Sequence, residues 1–300
     1  MEFRQLRYFE AVARTLNFSK ASEELCIAQP PLSRQIKNLE DELGVILIDR
    51  SSRPIKLTDA GSFFYEQSIQ IIGRMNELKL ATKRVAKNSR KRITIGLVPT
   101  TLYTKIPSAI KTFIQENDNV DIGFLPHISV EQIDFLKAGK IDIGFGRIVI
   151  HDDAIKNIVL ADERLYAIVP MESRLAKNDE ISLKELTDEK LILFPASPRP
   201  SFADQVIFQF RVRGIDPSNT YETDSLQTTM GLVAAGMGYS LVPESVMVTS
   251  RPDIKYIALK EQDVVTQLIM SVRKNDLSSH LKKFSDHIES TYAKNKELHL

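Results

Sequence analysis

The sequence predicts two folds in one chain, an α+β head and an α/β body, joined by one long helix. Three observations predict them. Residues 4–43 repeat apolar side chains at helical spacing and lead into a short strand, a turn and a second strand. Residues 59–88 contain no proline and repeat an apolar residue every seven positions. From residue 93 onward, short apolar runs alternate with helical patterns. With 300 residues, 43% hydrophobic and 26% charged, the chain is long enough to bury the cores of two or three domains.

Composition narrows the function classes. Cys26 is the sole cysteine, so an intrachain disulfide and a cysteine-histidine zinc cluster are excluded, and a reducing compartment fits. The start, MEFRQLRYFEAVARTL, carries Glu2 and Glu10 within what a signal peptide would keep apolar, and no later run approaches the roughly 18 apolar residues of a membrane span. A cytoplasmic location without membrane contact is expected. Charge is unevenly placed: residues 1–92 hold 17 Lys/Arg and 11 Asp/Glu, a net +6, so residues 93–300 carry −5 of the chain's total of +1. A basic head on a mildly acidic body points to a polyanion as partner of the head, although an excess of this size also suits a solvated surface.

In the head, Leu6, Phe9, Ala13 and Leu16 share one helical face, and a short helix over 19–25 is expected, with Ser19 as its N-cap and Ala21 and Leu25 inward. After a turn at 26–28 comes IAQPPLSRQIKNLEDELG, in which Leu32, Ile36, Leu39 and Leu43 form one stripe while Gln29, Ser33, Arg34 and Lys37 lie away from it. Pro30 and Pro31 fall in the first turn, whose amide hydrogens have no intrahelical acceptor, so proline costs little there.

Helix, tight turn, helix is the arrangement whose second helix enters the DNA major groove with its N-terminal residues toward the base edges. Arg bonds guanine and Gln bonds adenine bidentately, while Ser and Lys hold phosphates. A small helical bundle with a solvated polar face fits this much equally. The next stretch, LIDRSSRPIKLT, favours DNA: it reads as strand, turn and strand, with Arg50, Arg53 and Lys56 projecting from a basic hairpin wing. Residues 1–58 are therefore predicted to be a winged helix-turn-helix. Its candidate DNA-facing residues are Ser19, Gln29, Pro30, Pro31, Ser33, Arg34, Lys37, Arg50 and Arg53.

Thr58 as N-cap and Asp59 in the first turn open the long helix, in which Phe64, Ile71, Leu78 and Val85 stand seven apart with Met75 between. Little else nearby could bury that seam, so residues 59–92 are expected to be a linker and dimerisation helix; Gly73, Ser68 and Thr82 weaken it. The basic run KRVAKNSRKR ends this part, either as a solvated helix end or as a phosphate contact. A two-fold dimer would bind two half-sites of a near-palindrome.

In the body, strands are expected at 93–98, 120–125, 141–146, 165–170, 191–194, 239–243, 255–259 and 268–272, with helices between many of them. The alternation argues for parallel, Rossmann-like sheets, which bind ligands beyond the carboxyl ends of their strands.

Residues 1–92 resemble the LysR-type transcriptional regulators, in the order of LRYFEAVARTLNFSKASEELCIAQPPLSRQIKNLEDELGVILIDRSSRPIKLTDAG. The resemblance continues to the C-terminus, where GFGR, FPASPRPSF and GLVAAGMGYSLVP look most like the subgroup that controls aromatic catabolism and responds to cis,cis-muconate or related carboxylates. It implies a two-lobed effector-binding domain of periplasmic-binding-protein type over 93–300. One lobe would take about 93–161 and 268–300, and the other about 162–267. It also implies a cytoplasmic activator, without cofactor, whose partners are double-stranded promoter DNA, an organic-acid effector, RNA polymerase and further copies of itself as a dimer or tetramer.

Candidate effector residues share one chemistry. Thr100 and Thr101 follow the first strand, Ser129 precedes a helix, and Ser201 with Phe202 opens another after PASPRP. Hydroxyls and free amides at helix starts suit a carboxylate, although each alone is also an ordinary cap. The resemblance implies an effector role for the hydroxyls after the first strand and at the second helix start, and for the Phe. Pro99 departs from its pattern, removing an amide donor just before Thr100. Arg147, ending GFGR, would either neutralise an effector carboxylate or pair with Asp162 or Glu163. Arg199 is expected to face solvent.

No enzyme signature competes. GMGYS lacks the last glycine of a dinucleotide fingerprint, a phosphate-loop lysine motif is missing, and His127, His151, His280, His287 and His299 lack metal-ligand spacing. A solute-binding protein is the alternative suggested by the body alone.

Overall fold

The structure is a computed structural model that describes residues 1–52, 54–86, 91–126, 129–276 and 278–296. The described chain divides into two compact units, the first comprising Met1–Ser89 with Lys137–Lys140 and the second the remainder.

The first unit holds α1 (Phe3–Thr15), α2 (Phe18–Glu24), α3 (Gln29–Leu43), a two-stranded hairpin of β1 (Ile48–Asp49) and β2 (Lys56–Leu57), and α4 (Asp59–Ala86). Phe9, Val12, Ala21, Leu32, Ile36 and Leu39 meet with Leu47 and Ile48 in one core, and Phe64 of α4 packs edge-on against Phe9 at 5.2 Å. Asn17, not Ser19, caps α2: its Oδ1 accepts from the Ser19 and Lys20 amides, so Ser19 already lies in the first turn. Leu16 ends α1 in the left-handed conformation and is exposed, as is Leu43 one turn beyond Leu39. Both expected inward positions fail because their helices end there. Thr58 accepts from the Gly61 amide through Oγ1 at 2.9 Å, capping α4 as expected. Along α4, Ile71, Met75 and Leu78 are 43%, 45% and 60% exposed. Arg53 and the side chain of Val85 lie outside the described residues, as does most of the basic linker.

The second unit runs β3 (Lys91–Leu97), α5 (Ile106–Glu116), β4 (Val120–Pro126), α6 (Ser129–Lys137), β5 (Ile143–Gly146), β6 (Ile155–Pro170), β7 (Glu180–Ile181), β8 (Leu191–Leu193), α7 (Phe202–Arg211), β9 (Thr220–Glu222), α8 (Leu226–Ala234), β10 (Ser240–Pro243), β11 (Ile254–Leu259), β12 (Val265–Arg273) and α9 (Ser279–Lys296). Strand order is β4-β3-β5-β12-β6-β11-β7, with β10 also on β6. The sheets are mixed rather than parallel. β3 is parallel to β4 and β5, but β12 is antiparallel to β5 and β6, and β6 is antiparallel to β10 and β11.

The reason is β6. Its first part pairs with β12 and its last residues, Leu165–Pro170, pair with β10 and β11, so one strand crosses between two lobes. Sequence pattern marks only 165–170, because the preceding IKNIVLADER does not alternate cleanly. Each lobe has its own core. One gathers Ile93, Ile95, Phe113 and Phe145 with Met270, Phe284 and Ile288, and the other lies within 165–264 around Ile168, Ile192, Phe210, Leu241 and Ile257.

His287 is not a free surface group: its Nε2 lies 3.0 Å from both Thr112 Oγ1 and the Ala109 carbonyl, and its ring packs on Phe113. Arg199, expected in solvent, is half-buried and bonds the Ala196 carbonyl, Asp204 and Glu222, tying the PASPRP loop to α7 and β9.

Candidate nucleic-acid interface and effector cleft

Of the candidate DNA-facing residues, Gln29, Pro30, Pro31, Ser33, Arg34 and Lys37 sit on α3, whose apolar period is sharp. Leu32, Ile36 and Leu39 are fully buried, whereas Gln29, Pro30, Pro31, Arg34 and Lys37 are exposed and Ser33 is half-exposed. Ala28, the N-cap, offers no side-chain cap, and the prolines occupy the first turn. Arg34 and Lys37 make no ion pair among the described residues, so both cations stay available on this face. Ser19 stands beside them, its Oγ 3.5 Å from Gln29 Oε1.

Arg50 behaves differently from expectation. Its Nη2 donates to Glu40 Oε2 at 2.7 Å and its guanidinium lies 5.6 Å from the Phe18 ring centre, so it is tethered to the head while remaining exposed. Glu40 is a residue that periodicity missed. It is buried beside the apolar stripe, and its Oε1 accepts from the Leu47 and Ile48 amides at 2.9 and 3.0 Å, which fixes the wing to the recognition helix.

In the second unit the structure brings Thr100, Ser129 and Arg147 together. Arg147 leaves the end of β5 and is 2% exposed. Its Nε donates to Thr100 Oγ1 at 2.9 Å, its backbone amide to Ser129 Oγ at 3.2 Å, and its Nη2 to Glu163 Oε2 at 3.3 Å and Ser245 Oγ at 3.3 Å. Gly146 makes this possible, since a Cβ there would meet Ser129 Oγ at 2.5 Å. Burial pushes the guanidinium below its ordinary pKa, and the Glu163 charge opposes that shift. Nη1 is buried without a hydrogen-bond partner among the described residues. A buried donor left unmet costs stability, so it marks where an acceptor would be welcome.

Of the two acids offered by ADERL, Glu163 is the partner; Asp162 instead accepts from Gln267. Ser245 donates to Glu163 at 2.6 Å, and Gln205, one turn into α7, donates to the Arg147 carbonyl at 2.8 Å while accepting from Thr266. Neither Ser245 nor Gln205 carries a sequence signal; the fold alone delivers them. The start of α7 thus stands beside the cluster, with Ser201 as its N-cap and Phe202 as its first residue. Ser201 Oγ donates to the Pro195 carbonyl and Phe202 packs on Phe194 at 5.3 Å. Thr101 donates to the Val98 carbonyl at 2.7 Å and is fully buried, a local structural role.

The comparisons agree with this architecture. Residues 3–62 match the family model described as bacterial regulatory helix-turn-helix protein, lysR family, and residues 86–293 match the LysR substrate binding domain. A probable cat1 operon transcriptional activator of Acinetobacter lwoffii is 42% identical over 294 residues, covering 98% of this chain and 97% of that protein. The BenM effector binding domain with its effector benzoate matches at a TM-score of 0.65 and 34% identity, over 69% of this chain and 95% of that one. Full-length CbnR complexed with its target DNA matches at a TM-score of 0.65 and 31% identity, over 97% and 100%. Among the described residues, no helix is long and apolar enough to cross a membrane. The chain belongs to the LysR family of bacterial helix-turn-helix transcriptional regulators.

Proposed function

We propose that this regulator binds a promoter of aromatic-compound degradation genes and activates it in response to a small carboxylate such as cis,cis-muconate, acting in the cytoplasm with RNA polymerase as its eventual partner. One observation carries the effector half: a buried arginine whose Nη1 has no acceptor among the described residues, flanked by the Thr100 and Ser129 hydroxyls at the joint between two lobes. A carboxylate there would meet Nη1 and compete with Glu163, and the protein would shift toward whichever lobe arrangement binds it better. Benzoate, a small aromatic carboxylate, is the effector of the similar BenM domain. In this reading Ser201 and Phe202 border the ligand and Thr101 supports the loop. The sequence pattern divides head from linker at residue 58 and linker from body at 92, two residues into β3, and the proposed lobes are about 93–161 with 268–300 and about 162–267.

For DNA, α3 presents Gln29, Ser33, Arg34 and Lys37 to the major groove, with Ser19, Pro30, Pro31 and the wing's Arg50 and Arg53 at the backbone. Arg50 would have to share its guanidinium between Glu40 and a phosphate. The exposed apolar row Ile71, Met75 and Leu78 on α4 suits a second copy of the chain, giving a dimer and, through the bodies, a tetramer.

Footprinting on the divergent promoter beside its gene tests the whole: protection that changes with added carboxylate is expected, and no protection with or without acids would refute it. Arg34→Ala should weaken specific binding by about 1–3 kcal/mol while sparing random DNA, as a bidentate base contact requires. An equal loss on both DNAs would reduce Arg34 to a phosphate clamp. Ser129→Ala should weaken effector binding, read by calorimetry, by about tenfold while promoter affinity holds, and unchanged acid binding would remove it from the site. A thermal-shift screen of aromatic and dicarboxylic acids would name the effector, since a ligand of the folded state raises apparent stability with the logarithm of its concentration.

A further inference from the structure

Arg147 is aimed by residues outside its own strand. The pairing of β5 with β12 stops at Gly146, so the backbone of the next residue lies beyond the ladder. Two side chains hold it instead. The Arg147 amide donates to Ser129 Oγ at 3.2 Å, at the start of α6, and the Arg147 carbonyl accepts from Gln205 Nε2 at 2.8 Å, on α7.

The second of these bonds spans the lobes. β5 places Ile143 and Phe145 in one core, and α7 places Val206 and Phe210 in the other. The Gln205 bond therefore exists only while α7 lies against the end of β5, and a rearrangement that parts the two breaks it.

Gln205 holds a third element as well. Its Oε1 accepts from Thr266 Oγ1 at 2.8 Å, and Thr266 is 2% exposed. Thr266 stands opposite Glu163 where β12 pairs with β6, between Val264 of one core and Leu268 of the other. A carbonyl can only accept, so the amide nitrogen must face Arg147 and the amide oxygen is left for the Thr266 hydroxyl. One side chain thus joins, in a single polarity, the strand end that carries Arg147, the strand opposite its counter-charge Glu163, and α7. Phe202, three residues before Gln205, lies on the same side of α7 and is 6% exposed.

We propose that Gln205 is a positioning residue for the effector: through the Arg147 carbonyl it aims the guanidinium, and through α7 it sets how far Phe202 stands from that charge. The inference rests on the carboxylate reading of the cleft. It makes the preference for a charged ligand depend on an amide that need not touch the ligand, because a binding group works only when the residues behind it hold it within about 0.5 Å of its geometry.

Calorimetry on the full-length protein tests it, with benzoate and cis,cis-muconate as probes, each against its neutral amide. Gln205→Met keeps the length of the side chain and removes both bonds. It should weaken the acids by about tenfold and their amides by less than about threefold, since the charge-assisted bond is the one that depends most on aim. Thr266→Val keeps the shape and removes only the donor to Oε1; it should act in the same direction and more weakly, and the double variant should lose no more than Gln205→Met alone. Equal weakening of acids and amides would reduce Gln205 to packing, and unchanged binding of all four ligands would show that its bond does not aim the arginine; either result overturns the proposal while the cleft stands. A parent protein that binds neither acid better than its amide overturns the carboxylate cleft, and this inference with it. Should Gln205→Met fail to fold, Thr266→Val decides alone: acids weakened more than amides support the proposal, and no difference between them overturns it.

Discussion

Glu163→Gln is expected to destabilise the body by about 3 kcal/mol, because it leaves the Arg147 guanidinium buried with no carboxylate beside it. The geometry makes this costly: Arg147 is almost wholly enclosed, its other polar partners are neutral hydroxyls and carbonyls, and Nη1 is already unmet. Urea unfolding followed by circular dichroism would read the loss. The double variant Arg147→Met with Glu163→Leu should recover most of it, since an apolar pair of similar volume replaces a buried ion pair at little cost. In the folded fraction of Glu163→Gln, carboxylate effectors should bind more tightly, because the competing carboxylate is gone. A variant that unfolds like the parent would mean that water already solvates the arginine, and the cleft reading would lose its main support.

Glu40→Ala is the second large effect, about 3 kcal/mol on the head, because two buried amides, those of Leu47 and Ile48, lose their shared acceptor at about 1–3 kcal/mol each. Glu40→Gln retains one carbonyl oxygen and should cost less than half as much. Hydrogen exchange of the full chain would report it locally, with faster exchange over residues 45–50 and little change in the body. DNA affinity should fall as well, since Glu40 joins the reading helix to the wing and holds Arg50. Unchanged exchange at Leu47 and Ile48 would show that the carboxylate does not fix the wing.

The two variants also show where sequence reading works and where it stops. The apolar step of α3, the prolines in its first turn and the Thr58 cap of α4 are visible in the chain because each depends on residues within a turn or two. Ser19 against Asn17 is an error of the same local kind, two side chains competing for one cap. Glu40 is another matter. On a helical wheel it belongs with the polar residues, and only the returning chain at Leu47 and Ile48 gives it a reason to be buried.

The body repeats that division. Thr100, Ser129 and Arg147 could be named because each ends a strand or starts a helix, and the resemblance sharpened the choice. Their meeting at one guanidinium, the preference for Glu163 over Asp162, and the arrival of Gln205 and Ser245 required the crossover of β6 and the docking of α7.

By itself, then, the sequence determined the helix-turn-helix, the long helix, the α/β body and the family, since periodicity, caps and motif order are local properties written in consecutive residues. Tertiary structure alone decided that the sheets are mixed, that Arg50 is tethered while Arg34 and Lys37 make no ion pair among the described residues, and that Arg147 keeps one donor without a partner among them. The physical reason is that burial and hydrogen-bond satisfaction belong to groups brought together from distant parts of the chain, and no local pattern encodes which partner arrives.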